Sequence, residues 1–259
     1  MELTASVRDI PVDTADSDTL AEGIEVIPGS HNIVLVAPHG NMKDDMGTSG
    51  FTLAAREHLD CYAVINTRFR KGVEPDVENN IADLYKSEGF LHPRLKTVFY
   101  DPLTVFLDQI LDCHAKALII HIHGIKDRNI EKIAALGNGD PSHRNKDLRL
   151  IIGYGQHFKN PRPTASEDEV VLPMIESFTR HGLGAQAAPT LPISNGGHKT
   201  WYCGNDRQRM NQYLYSMPKY RNRLQSLQIE LKYTGVRDHE ASPHASRNFA
   251  AAVRAIWSR

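Results

Sequence analysis

Cysteine is scarce in this chain, and a dominant charge of one sign is missing. Three cysteines, Cys61, Cys113 and Cys203, are an odd number at wide spacing. That argues against a disulfide framework and for a reducing compartment. None belongs to a Cys-x-x-Cys pair, so each is expected to be a plain buried or half-buried thiol rather than a metal ligand. The formal net charge is −1 with both signs interspersed, which gives no electrostatic footprint for nucleic acid or an anionic membrane. No apolar run approaches the ~20 residues that cross a bilayer. Met1 to Asp18 is acidic and polar and lacks the apolar segment of a signal peptide, so the expected location is cytoplasmic.

What is present suits an ordinary globular protein. Hydrophobic residues make up 41% and charged residues 24% of 259, enough to bury one full core. Residues 1–29 read as a loosely ordered leader ending at Pro28-Gly29-Ser30, and 30–259 as one domain. Strands are expected at about 32–38, 61–66, 117–123, 149–153, 184–188 and 226–232. Helices are expected near 49–59, through 80–85, at 101–114, 168–180, 205–216 and 244–257. The helix at 101–114 is the clearest, with Leu103, Phe106, Leu107, Ile110 and Leu111 forming one apolar stripe behind an Asp101 N-cap and Pro102. Thr48 or Ser49 is the expected cap of the 49–59 helix. Strands alternating with helices predict an α/β domain built on a mostly parallel sheet.

Two apolar, β-branched segments run into His-Gly: Ile33-Val-Leu-Val-Ala-Pro-His39-Gly40 and Ala117-Leu-Ile-Ile-His121-Ile-His123-Gly124. Ligands of open α/β sheets bind beyond the carboxyl ends of the strands, so both imidazoles should reach one rim. An acidic pair, Asp44 and Asp45, follows His39 closely. Glu230 lies inside the apolar run Leu227-Gln-Ile-Glu230-Leu, where an unpartnered carboxylate is costly to bury. Two His, one carboxylate and a separate Glu are the components of a hydrolytic zinc site, with Glu230 as general base. Such a site requires the rings of 39 and 123 to lie within about 6 Å of each other, given metal–nitrogen bonds of ~2 Å. His121 is expected on the opposite face from His123, in a core or supporting role, and His114 at a helix end. Asn66, Arg68 and Arg70, at the end of the second strand, are candidates to clamp a substrate carboxylate. His198, in the Asn195-Gly196-Gly197-His198-Lys199-Thr200 loop, and Tyr154 are further candidates to face the substrate.

The order of these motifs resembles the N-formylglutamate amidohydrolase family. Pro-His39-Gly, Val64-Ile-Asn66-Thr-Arg68 with a following Asp76 and Asn79, Ile-His-Ile-His123-Gly, Gly196-Gly197 and Leu-Gln228-Ile-Glu230-Leu before Arg237-Asp238 come in the family's order, over roughly 31–238. The related phage poly-γ-glutamate hydrolases share Pro-His-Gly and a Gly-Thr-Ser, here Gly47-Thr48-Ser49. The resemblance implies a three-layer α/β/α domain with a mixed, mostly parallel sheet, of the phosphorylase/hydrolase-like, zinc carboxypeptidase-like class. It implies one zinc per chain on His39, His123 and an acidic ligand that falls on Asp45 when anchored on Gly47-Thr48-Ser49, with Glu230 activating water. The carboxypeptidase His-x-x-Glu is missing, since Met42 holds that place, and Asn80 stands where the family's Asp-x-Asn-Arg has its arginine. The function implied is amide hydrolysis on an N-acyl amino acid or small acidic amide. A metallopeptidase acting on γ-glutamyl or C-terminal peptide bonds is the alternative, and a metal-free binding relative is the rival of another class. The expected partner is a small or short peptide-like substrate bearing a carboxylate.

Overall fold

In a computed structural model of the protein, residues 22–40, 45–71, 80, 81, 83–136, 147–192 and 197–257 are described. Seven strands form one twisted sheet: β1 (Ile24–Ile27), β2 (His31–Ala37), β3 (Cys61–Asn66), β4 (Ala117–Ile125), β5 (Leu148–Gly153), β6 (Gly184–Ala187) and β7 (Leu224–Lys232). Their spatial order is β1-β3-β2-β4-β7-β5-β6. The four central strands, β3, β2, β4 and β7, run parallel to one another. β1 pairs antiparallel with β3 and β5 antiparallel with β7, so the sheet is mixed at its flanks.

The parallel centre is buried on both sides, and its strands read accordingly as near-continuous apolar runs. Ile33, Leu35, Leu118, Ile120, Leu227 and Ile229 face one helical layer. That layer holds α1 (Thr48–Leu59), α4 (Leu172–Arg180) and α6 (Ser242–Trp257). Phe51, Phe178 and Phe249 knit it together, with Phe249 5.4 Å from Phe51 and 5.1 Å from Phe178 between ring centroids. The opposite face carries Val34, Val36, Val64, Ala117, Ile119 and Leu224. They pack on α2 (Asp101–Cys113) and α5 (Met210–Ser216), together with short turns that include Phe90, Phe99 and Tyr100. All five residues of the stripe read at 103–111 are buried. A further helix, α3 (Asp127–Leu136), follows β4 directly and packs Ile130 and Ile133 at the end of the sheet. The result is the expected single α/β/α layering.

Several local expectations need correction. Residues 1–21 of the expected leader lie outside the described residues, but Ile24–Ile27 is a strand. Among the described residues it pairs with β3 alone; it buries Ile24 and leaves Val26 exposed, as an edge strand does. No helix runs through 80–85: Asn80–Ile81 pairs with Arg70–Lys71, Leu84 and Tyr85 form a turn, and the first helical residues are Ser87–Phe90. Asp101 does not cap α2, because the helix is entered from a π-helical turn at Lys96–Tyr100; its carboxylate instead pairs with Lys96 at 2.5 Å. Neither Thr48 nor Ser49 caps α1. The cap is Gly47 at φ 83°, a left-handed conformation that suits glycine, and the Thr48 hydroxyl donates back to the Asp45 carbonyl.

Candidate metal centre

Three parallel strands deliver the site to one rim. β2 ends at Ala37, and Pro38-His39-Gly40 turns away from it. Gly40 is required there: it sits at φ 57°, and a Cβ would lie 2.9 Å from the carbonyl oxygens of both Asn66 and Phe69. β4 does not stop at His123 as expected but continues to Ile125, so His123 projects from within the strand. Glu230, on β7, is the direct register partner of His123, which places both side chains on the same face of neighbouring strands.

His39, Asp45 and His123 are all buried, with one ligating atom of each lying within 4.8 Å of the others. The two Nδ1 atoms are 3.2 Å apart, well inside the limit set by two metal–nitrogen bonds. Asp45 Oδ2 is 3.3 Å from His39 Nδ1, and Asp45 Oδ1 is 3.9 Å from His123 Nδ1. The edge of a tetrahedron with ~2.05 Å bonds is about 3.4 Å, so the two shorter separations match a tetrahedral cation such as zinc, while the 3.9 Å separation, made by the other carboxylate oxygen, is longer than that edge. His39 Nε2 donates to Asp83 Oδ1 at 2.8 Å, which turns the Nδ1 lone pair of the neutral ring toward the centre. Asp45 is held by the Gly124 N–H, which donates to its Oδ1 at 2.7 Å. Asp44 lies outside the described residues.

The charges follow from this geometry. Burial alone would lower the pKa of His39, but Asp45 and Asp83 outweigh it and raise the ring to about 9. Burial works against the Asp45 carboxylate too, yet His39 holds it down at about 2. His123 is pushed well below its ordinary value, by burial first and then by the charge on His39. Burial, with Asp45 adding to it, lifts Glu230 to about 8; the amide of Gln228, donating to Glu230 Oε1 at 2.7 Å, opposes the shift. Gln228 in turn accepts from the Tyr85 hydroxyl at 3.1 Å.

A cavity of about 380 Å³ opens over this centre. His39, Asp45, His123, Gln228 and Glu230 form its floor, while Tyr85, Arg209 and the Thr200 to Asp206 segment form its walls. Of the residues expected to meet substrate, the structure brings none of the five to this cavity among its described lining. Asn66 is a turn-holder: its amide donates to the carbonyls of Pro38 and Phe69, and its Oδ1 accepts from the Phe69 N–H. Phe69 takes the interior position of that turn. Arg68 is thereby directed outward, 3.9 Å from Glu22, and Arg70 is exposed. Tyr154 packs in the core on the α1/α4/α6 side of the sheet, the face away from the site. His198 is exposed on a short ribbon formed by Thr190–Pro192 and His198–Thr200, its ring 6.2 Å from Phe158.

His121 also departs from expectation. Residues two apart on a strand share a face, so His121 points the same way as His123, and both rings abut Tyr85 at 5.2 and 4.4 Å. It is a supporting residue, fully buried, with burial lowering its pKa to about 3. His114 ends α2 as expected, its N–H donating to the Ile110 carbonyl.

Against solved structures, the chain is similar to N-formylglutamate amidohydrolase from Ralstonia eutropha JMP134, with a TM-score of 0.51 over 90% of this chain and 97% of that one at 10% identity. It shares that protein's fold. Gene product Atu2144 from Agrobacterium tumefaciens matches with a TM-score of 0.53 at 12% identity, over 91% of this chain and 95% of that one. A bacteriophage poly-γ-glutamate hydrolase gives a TM-score of 0.45 at 14% identity, over 91% and 87%. No family model matches the sequence, and no curated protein does. The fold implied by the motif order is therefore present, at identities where only the architecture carries over. No helix among the described residues is long and apolar enough to cross a membrane.

Proposed function

We propose that the protein is a zinc-dependent amidohydrolase that cleaves the amide bond of an N-acyl amino acid or small acidic amide. The observation that carries the reading is the buried His39–Asp45–His123 group, set beside the register partner of His123, Glu230, under one cavity. The fold shared with N-formylglutamate amidohydrolase supports it. His39, Asp45 and His123 would hold the ion, and Asp83 keeps the His39 ring in the ligating tautomer. When bound, zinc supplies a Lewis acid that polarises a carbonyl oxygen and brings the pKa of water down to ~7.

The chain's own groups do the rest. Glu230 takes the proton of the attacking water and passes it to the leaving nitrogen. Its Oε1 is held by the Gln228 amide, which is itself held by Tyr85, so the carboxylate is aimed before substrate arrives. Arg209 takes the role first sought in Arg68 and Arg70. Among the described lining residues it carries the one fixed positive charge, and its guanidinium lies 5.8 Å from the Tyr85 ring centroid. It lies 3.4 Å from Asp83 Oδ2 and 3.5 Å from Asp206 Oδ2, and a substrate carboxylate entering the cavity would compete with these partners for it.

The test is metal content with turnover. Purified protein should carry or take up one zinc per chain and hydrolyse members of a panel of N-formyl, N-acyl and γ-glutamyl amides. Glu230→Gln should retain the zinc while losing about 10²–10⁴ in rate, the usual worth of a general base. A protein that takes up no zinc, or a Glu230→Gln variant with near-normal rates, would defeat the proposal.

A further inference from the structure

A single buried side chain outside the ligand set ties together the backbone beside three of the four site residues. Arg237 is only 3% exposed. Its Nε donates to the carbonyl of Leu231 at 2.9 Å, its Nη2 to the carbonyl of Ile125 at 3.3 Å, and its Nη1 to the carbonyl of Met46. Leu231 follows Glu230, Ile125 lies two residues past His123, and Met46 follows Asp45. A planar guanidinium with five fixed donors is the side chain able to span three carbonyls at once.

The residue is itself firmly seated. It closes the turn Tyr233–Arg237 at the end of β7, in which Gly235 adopts φ 78°. Arg149 donates to the Gly235 carbonyl, and the Asp127 carboxylate accepts from the N–H groups of Tyr233 and Thr234. The guanidinium lies 5.5 Å from the Tyr233 ring centroid. The Asp45 loop is pressed against it: a Cβ on Gly47 would lie 2.4 Å from the Arg237 carbonyl oxygen. Arg237 also brings positive charge near Asp45 and Glu230.

Resting on the zinc reading above, we infer that Arg237 is a positioning residue. It sets the spacing of the Asp45 loop against His123 and Glu230, so the affinity for the ion depends on a side chain that never touches it. Supporting partners of metal ligands are typically worth about 10–100-fold in metal affinity or activity. A lysine at this position keeps the charge but offers one compact donor group in place of the fork. Lysine therefore separates positioning from charge.

The experiment is Zn²⁺ competition against a chromophoric chelator, at a temperature where circular dichroism shows each protein folded. Arg237→Lys and Arg237→Gln should each weaken Zn²⁺ binding about 10-fold or more. Phe249→Ala, on the far side of the sheet, should bind zinc like the unaltered chain although it is destabilised, which controls for a general loss of stability. An Arg237→Lys protein that is folded and within twofold of the unaltered affinity would overturn the inference. Should Arg237→Lys fail to fold, Asp127→Ala releases the same turn from its solvent side. A weakening of threefold or more supports the positioning role, and an unchanged affinity overturns it. Failure of the unaltered chain to bind zinc would instead strike the functional reading itself.

Discussion

His39 sits between two carboxylates, and the proton it holds decides how the centre takes up an ion. Ligation requires the neutral ring, whereas Asp45 and Asp83, against the opposing effect of burial, keep the metal-free ring protonated to about 9. In the metal-free site Glu230, raised to about 8 chiefly by burial, also carries a proton at neutral pH, which it loses to serve as the base once the ion is bound. His123 is neutral and Asp45 ionised, so neither contributes one. Zinc binding at pH 7 should therefore release between one and two protons, and apparent affinity should climb about tenfold per pH unit for each proton, levelling above 9. Calorimetry in buffers of different ionisation enthalpy measures the release, and a value of zero would contradict this arrangement of charge. His39, His123 and Glu230 were legible in the sequence because each is a polar residue on or at the end of an apolar, β-branched segment. Gln228 was legible too: it lies two residues before Glu230 and must share its face. Asp83, Tyr85 and Arg209 were not: 80–85 and 205–216 read as helices, whereas all three residues lie in irregular turns ahead of the first helical residues, Ser87 and Met210. Arg68 was misplaced because its neighbour Phe69 fills the interior of the turn, a choice of packing that loop composition does not reveal.

At the scale of elements, the sheet divides the molecule into a chemical side and a supporting side. The Phe51–Phe249–Phe178 contact joins α1, α4 and α6 on the supporting side. Phe249→Ala should cost about 3–5 kcal/mol by urea denaturation, the usual range for truncating a fully buried aromatic. Periodicity located these helices well, since a helix of several turns that buries one stripe repeats its signal several times. It failed where elements are short or irregular. The turn at Lys96–Tyr100 replaced the expected Asp101 cap, and the tertiary pairing of Asn80–Ile81 with Arg70–Lys71 took residues that local sequence assigned to a helix.

For the whole molecule, the buried histidines and Glu230 set opposing pH trends in the metal-free state. His121 and His123 have lowered pKa values, so their contribution is present above their ordinary 6.5 and declines as pH falls below it. His39 is raised, so its contribution is complete below 6.5 and is lost as pH rises through about 9. Glu230, with a raised carboxylate pKa, adds a cost as pH climbs from 4.5 to about 8. Thermal unfolding of the chelator-treated protein should therefore show a maximum near pH 6.5. Zinc should raise the melting temperature, with the largest gain on the alkaline flank, because an ion that binds only the folded state stabilises it by mass action. A metal-insensitive, flat profile from pH 5 to 9 would contradict the description of the site.

The side-by-side placement of His123 and Glu230 makes hydrolysis hostage to strand alignment. Side chains alternate along a strand, so sliding β7 by one position would swing the carboxylate into the helices behind the sheet and bring an isoleucine or leucine to the reaction chamber. A one-residue insertion or deletion within 224–229 would barely alter composition and overall size and would leave the three ion-binding residues in the chain. It would still remove the carboxylate from the chamber, and catalysis with it.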